Sequence, residues 1–481
     1  MKVIKQFAAS VSAILIAASS AFSGTFCSGA VNTETLSQET INFYQQWKNK
    51  YLAQDTYVKD ETQYYVYYSD EHYIAGSNTS VAVTVSEAHG YGMLIFASMS
   101  EYDDQAKSYF DGMYRYYKAH PSDIGPHLMS WQQCDNGTEL IDGAEEGAMT
   151  GDFCDSATDG DMDIAYALLM ADSVWGSSGE IDYLSEAKAV IDDIMKYDIN
   201  HEFWTITLGD WVSECNRNEN YYYATRPSDF IVQYLPVFAK VSGDENWMRV
   251  YETTYQIIES ITSENGNGLL PDFVIRDSSG QFKAAPANFL ESEYDGYYSY
   301  NSCRTPWRIS MDYIINGNET AKKFSEDITK FISEKTNNDP WEIMAGYDLN
   351  GNAVEDYNDL CFTVPFLPAA SCTDNSDWHD SVREVALNYG DDVYYGDTIK
   401  MLCLIADDGG WIVPETNSGP KSVPGDVNDD GKFNVADAVM MQNFILNNGS
   451  LINWKNGDLY EDDIIDSFDI VIMRRLLQKT I

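Results

Sequence analysis

The sequence predicts an all-α chain, a barrel or toroid of amphipathic helices with a cleft built by loops, followed by a small helical calcium-binding domain. Three observations lead there. Helical periodicity dominates from the end of the first 30 residues to about residue 412. Between the helices lie long loops rich in Gly, Asp, Asn and Trp, and loops of that length inside a compact domain usually serve function. A Pro/Gly/Ser-rich break then leads into two calcium-type loops, each followed by a helix.

At 481 residues with 44% hydrophobic content, the chain is long enough for a large cored domain with an appendage. Its net charge of -46 excludes a nucleic-acid binder, which needs a basic face, and argues against an anionic membrane surface. Aromatic residues make up 14%, with 34 Tyr and 11 Trp, enough both to fill a core and to offer platforms to sugar rings.

Residues 1–30 read as a secretory signal peptide: Lys2 and Lys5, a short Ala/Ser-rich apolar stretch, then small residues. The chain is therefore expected outside the cell, and no other run is long and apolar enough to span a bilayer. Residues 31–413 hold the helices. In "DIAYALLMADSVW", Ile164, Leu168, Ala171 and Trp175 recur on one helix face, so Trp175 is read as core. "SEAKAVIDDIMKY", "WMRVYETTYQIIESI" and "YYGDTIKMLCLIA" behave alike. The eight Cys form no CxxC and are expected as buried free thiols, with Cys361–Cys372 as a loop that a disulfide could close. The six His show no HExxH, so no catalytic metal is expected.

Residues 414–423 read as a linker, and 424–481 as a separate domain. In "DVNDDGKFNVAD", Asp426, Asn428, Asp430, Asn434 and Asp437 stand at positions 1, 3, 5, 9 and 12 of a calcium loop, with Lys432 offering its carbonyl at position 7. The segment repeats at an offset of 32 residues, giving a second loop through Asp458, Asp462, Asp466 and Asp469. That loop is degraded, with Tyr460 at position 3 and Asp463 where Gly is expected. The duplicated loop and helix resemble a dockerin. The resemblance implies structural calcium and docking onto a cohesin module of a scaffold protein, as in a cellulosome.

Three stretches bear candidate catalytic carboxylates. "SEAHGYGM" holds Glu87. "ATDGDMD" crowds Asp159, Asp161 and Asp163 at a helix start, where acids also serve as ordinary caps. "FLESEYDGYYSYNSCRTPWR" holds Glu291, Glu293 and Asp295. Together they resemble glycoside hydrolase family 8. Its signature is filled by Ala157, Thr158, Asp159, Gly160, Asp161, Ile164 and Ala165. "SEAHGYGM" is similar to its acid motif, with Ala88 replacing the usual Gly, and "CRTPWRISMDY" to its arginine/tryptophan motif. "LMSW", "LGDW", "PSDF" and "YYGDTIKML" follow in family order.

The resemblance implies an (α/α)6 barrel and inverting hydrolysis of a β-1,4-linked polysaccharide. It implies Glu87 as general acid, Asp159 holding the sugar at the cleavage point, and Arg304 orienting the sugar or a carboxylate. Many members carry their base, an Asp, where this chain has Asn301. One branch takes it instead from a Glu in the preceding loop, which points to Glu291, with Glu293 as second choice. Trp131, Trp204, Trp211, Tyr300, Tyr394 and Tyr395 are expected to serve as sugar platforms or core. The expected substrate is plant β-glucan of cellulose or mixed-linkage type. Chitosan and xylan are alternatives, and a scaffold-docked carbohydrate-binding protein without turnover is the non-enzyme alternative.

Overall fold

The computed structural model describes residues 36–69, 81–143, 154–390, 393–414, 424–428, 432–446, 449–460 and 464–480. The expected leader, the linker after Pro414, Asp430 and Asp462 lie outside the described residues. Contacts divide the chain into Met1–Tyr234 with Val250–Val413, and Leu235–Arg249 with Pro414–Ile481.

The first unit is built of helices, with short antiparallel sheets at their ends. Gln38–Tyr51, Tyr183–Asp193, Glu319–Lys335 and Ser376–Asn388 begin at side-chain caps. There Ser37, Asp182, Asn318 and Asn375 each accept a backbone N–H of the first turn, satisfying donors a helix start leaves free. Ser86–Ser98, Thr158–Trp175, Thr305–Asn316 and Tyr394–Asp407 begin without such caps. These four carry or adjoin the candidate site residues.

Ser86–Ser98 and Thr158–Trp175 are inner helices. Every residue from Thr158 to Ala171 is buried, and so is every residue of the first helix except Glu87. The single apolar face expected for Thr158–Trp175 is therefore corrected: the helix is apolar on nearly all sides because other helices surround it. Trp175, expected as core, lies half-buried at its end, 5.2 Å from Phe110. The two helices pack through Gly90 and Gly160. A Cβ on Gly90 would lie 2.7 Å from Asp163 Cβ, and one on Gly160 would lie 2.7 Å from the Ser86 backbone carbon.

Two three-stranded sheets aim residues at the helix ends. Val81–Val85, Gln132–Asp135 and Leu140–Gly143 form one, and its first strand runs straight into Ser86. Ala224–Thr225, Val274–Arg276 and Phe282–Ala284 form the other, and it delivers Arg226. The seven described cysteines are free thiols, Cys361 and Cys372 included, and Cys215 is exposed.

In the second unit the sequence repeat becomes a structural one. Val435–Ile445 and Ser467–Thr480 pack around Val427, Met441, Ile470 and Met473. The equivalent Met441 and Met473 are fully buried, while the equivalent Val439 and Val471 are both exposed. Asp437 Oδ1 accepts the N–H groups of Val427 and Asn428, and its Oδ2 accepts that of Asn434. Asp469 repeats the pattern with Leu459, Tyr460 and Asp466.

Candidate active site

Glu87 and Asp159 each stand in the first turn of an inner helix, where the exposed N–H groups favour negative charge. The close Gly90–Gly160 approach brings these two starts together. Arg304, only 2% exposed, lies between them. Its Nη1 donates to Glu87 Oε2 at 2.7 Å, to Asp159 Oδ2 at 2.8 Å and to the Tyr91 hydroxyl at 3.1 Å. The other face of the guanidinium holds Asn301: Nε donates to its backbone carbonyl at 3.2 Å and Nη2 to its Oδ1 at 3.3 Å.

Asn301 Nδ2 in turn donates to Glu291 Oε2 at 2.7 Å. Arg226 Nη2 donates to the second oxygen, Oε1, at 2.9 Å. Both Glu291 oxygens thus accept from donors, the pattern of an ionised carboxylate. It is still 45% exposed, so water reaches it. Glu293, two residues on, is exposed.

The loop that presents Glu291 is organised by Asp295, the third carboxylate of the stretch. Fully buried, it accepts the N–H groups of Leu290, Glu291 and Ser292. Asp295 is spent on shaping the loop and does not face the cleft. Phe289 anchors the loop as well, packing against Phe273 and Tyr221, whereas Leu290 is exposed. Asp272 plays the same part for the next turn, accepting from Ser299 N, Ser302 N and Ser302 Oγ.

The electrostatics separate the carboxylates. Burial pushes Glu87 above its ordinary range; Arg304 opposes this and Asp159 reinforces it, and the net direction is up. Burial also works against ionised Asp159, but Arg304 and then Arg226 outweigh it and hold it below the usual carboxylate range. Asp229, fully buried, is pushed up to about 7 by burial and by the Asp159 charge.

Of the residues read from sequence, the structure joins Glu87, Asp159, Asn301, Arg304, Glu291, Tyr300, Tyr394 and Tyr395. Tyr394, expected as a platform or core, is buried and donates its hydroxyl to Glu87 Oε1 at 3.0 Å. Tyr395 lies under Arg304, 5.8 Å from ring centroid to guanidinium, and donates to the Tyr300 carbonyl. Trp131 is half-buried, and its carbonyl accepts Ser86 N at 2.9 Å. Trp211 packs on Tyr221, which packs on Phe289, so it props the Glu291 loop. Trp204 holds a positive φ of 60° and meets His201. Sequence reading missed Arg226, Asp229, Tyr91 and Asp272. Arg226 immediately precedes "PSDF" and Asp229 is its acid, and Tyr91 lies within "SEAHGYGM", so those two motifs carried the signal; "LLPDF" around Asp272 offered none.

The model of glycosyl hydrolases family 8 matches residues 21–409. The chain belongs to this family. A dockerin type I domain matches residues 424–478. The family 8 chain is 40% identical over 395 residues to a beta-glucanase from Niallia circulans, covering 80% of this chain and 89% of that protein. It is 31% identical to endoglucanase A from Acetivibrio thermocellus, covering 77% and 74%. Among solved structures it superimposes on a beta-1,3-1,4-glucanase from Paenibacillus sp. X4 with a TM-score of 0.69 and 40% identity, covering 78% and 92%. A cold-adapted family 8 xylanase shares the fold at a TM-score of 0.63 and 14% identity, covering 80% and 97%. The family 8 domain is thus the (α/α)6 barrel expected from sequence, the enzyme is a glycoside hydrolase, and its C-terminus is a dockerin.

Type I dockerins bind calcium. The described residues of the first loop fit a hard cation: Asp426 and Asp437 are buried oxygen donors at its two ends, with Asn428, Lys432 and Asn434 between.

Proposed function

We propose that this enzyme is a secreted, inverting endo-β-1,4-glucanase that cuts mixed-linkage or cellulose-type β-glucan. Its dockerin, residues 424–481, would fix it to a cohesin of an extracellular scaffold. Glu87 is the general acid and Glu291 the general base. Asp159, ionised beside Arg304, holds and distorts the sugar at the cleavage point.

The observation that carries this reading is the row Glu87–Arg304–Asn301–Glu291–Arg226. Inversion needs one protonated carboxyl at the leaving oxygen and one ionised carboxylate activating a water, about 6.5–9.5 Å apart. Glu87 is the group pushed toward protonation. Glu291 has both oxygens held as acceptors. A guanidinium and a carboxamide stand between the two, which suits the wider spacing of inversion.

The names of the relatives favour β-glucan over xylan. Ion pairing within the site favours it over chitosan. Each of the three site carboxylates already faces a guanidinium, so none is left to neutralise the ammonium groups of a cationic chain. Calcium would bind at Asp426, Asn428, Asp430, Lys432, Asn434 and Asp437, and at Asp458, Asp462, Asp466 and Asp469 in the second loop. It has no part in catalysis.

The test is reducing-sugar release from lichenan, carboxymethylcellulose, xylan and chitosan, with proton NMR of the first product. Activity is expected on the two glucans, with the α-anomer first. An initial β-anomer, or activity on chitosan alone, would overturn the reading.

A further inference from the structure

Beyond Tyr300, the neighbour of Asn301, the surface carries further rings that the catalytic reading does not use. Tyr300 is exposed, and its hydroxyl is pinned by the Tyr357 hydroxyl and by Asp359 Oδ2, each at 3.0 Å. Tyr357 is itself 45% exposed. The chain after it is laid against residues 343–345: Ala345 N donates to the Tyr357 carbonyl, and Asn358 Nδ2 to the Ile343 carbonyl. Those residues follow the Pro340–Glu342 turn, which Asp339 fixes by accepting Trp341 N at 3.0 Å. The turn presents Trp341, 48% exposed.

Trp341 does not hang free. It stacks on Tyr389 with 5.2 Å between centroids and 18° between planes. The Tyr389 hydroxyl donates to the Asn358 carbonyl at 3.3 Å, closing the circuit back to Tyr357. A lone exposed aromatic needs no explanation. A tryptophan held flat by a second ring, on a braced turn and linked by hydrogen bonds through Tyr357 to Tyr300, is a preformed face for a ring that is apolar on its flat sides and polar at its rim. A pyranose in a β-linked chain has that chemistry.

We infer that Tyr357 and Trp341, the latter backed by Tyr389, form a remote binding track for a neutral polysaccharide. It runs outward from Tyr300 and holds sugar units of the substrate chain distant from the bond that is cut. The track rests on the reading of the cleft as a β-glucanase site. It makes a long chain bind better than a short one and contributes nothing to the chemical step.

The experiment compares wild type, Trp341→Ala and Tyr357→Ala on lichenan and on a short mixed-linkage oligosaccharide, with native electrophoresis through gels containing lichenan. On the polymer, KM is expected to rise about three- to tenfold with kcat retained, as loss of one stacked ring predicts. Retardation in the gel falls, Trp341→Phe restores much of it, and on the short substrate the difference disappears. Unchanged KM and retardation on lichenan would overturn the track. So would an equal loss on both substrates, which marks a structural role. Failure of the underlying β-glucanase reading is seen separately, as wild type inactive on lichenan.

Discussion

The Asn301 side-chain amide donates to Glu291 Oε2 at 2.7 Å through Nδ2, while its Oδ1 accepts from Arg304 at 3.3 Å. Partners on both sides fix which way the amide points. The residue that cannot itself be a base thus holds the proposed base and ties it to the guanidinium that holds the proposed acid.

Asn301→Asp replaces that donor with a second carboxylate against Glu291. Two carboxylates so close share one proton, and the upper pKa of the pair rises. The base is then ionised only at higher pH. The acid limb of the kcat/KM profile should move upward, and activity at pH 5 should fall by about tenfold or more. An acid limb left in its wild-type place would refute the geometry. In a Glu291→Gln background the same change should give at most partial rescue.

Glu291→Gln should lose about 10²–10⁴-fold in kcat, comparable to Glu87→Gln, because each removes one half of the acid–base pair. Glu293→Gln should stay within a few-fold of wild type. Collapse in Glu293→Gln with full activity in Glu291→Gln would shift the base by two residues.

Tyr394→Phe tests the acid. Burial raises Glu87, and the Tyr394 hydroxyl favours its charged form. Without that donor the carboxyl is held protonated to higher pH. The alkaline limb of the pH–rate profile should therefore move upward, with kcat at the optimum reduced only modestly. A downward shift would contradict the assignment of Glu87 as the acid.

Gly160→Ala would drive a methyl to 2.7 Å from the Ser86 backbone carbon. Backbone cannot swing aside as a side chain can, so the two inner helices must separate. A stability loss of roughly 1–3 kcal/mol is expected by denaturant unfolding. Activity should fall with it, because Glu87 and Asp159 ride on those helix starts.

Asp198→Asn tests a buried acid outside the reacting row. Asp198 is fully buried, both its oxygens lack a partner, and burial followed by the Asp161 charge pushes its carboxyl well up. The folded chain therefore binds more protons than the unfolded chain, whose Asp titrates near about 4. Wild-type stability should fall as pH rises above that value. The variant takes up no such proton. Its melting temperature should gain on wild type between pH 5 and pH 8, by on the order of a few degrees. A constant gap across that range in calorimetry would refute the upward shift of the Asp198 carboxyl.

The sequence by itself determined what is local. The dockerin is legible because ion-type loops fix oxygens at set spacings, and duplication repeats them; Asp437 and Asp469 accordingly make the same three bonds. Glu87 and Asp159 are legible because each sits in a short motif at a helix start. Tertiary structure decided the rest. Family resemblance ranks Glu291 above Glu293, but the string does not show how their settings differ. Burial of Asp295 under the loop and the arrival of Arg226, 65 positions earlier, are what distinguish them. Tyr394 is a platform by composition and a hydrogen-bond donor by position. The Thr158–Trp175 helix reads as one-faced, yet it is enclosed, since periodicity reports only how a helix meets one neighbour and not how many neighbours surround it. Side-chain convergence across so many residues depends on how helices pack, through contacts such as Gly90 on Gly160, and no spacing along the chain encodes that distance.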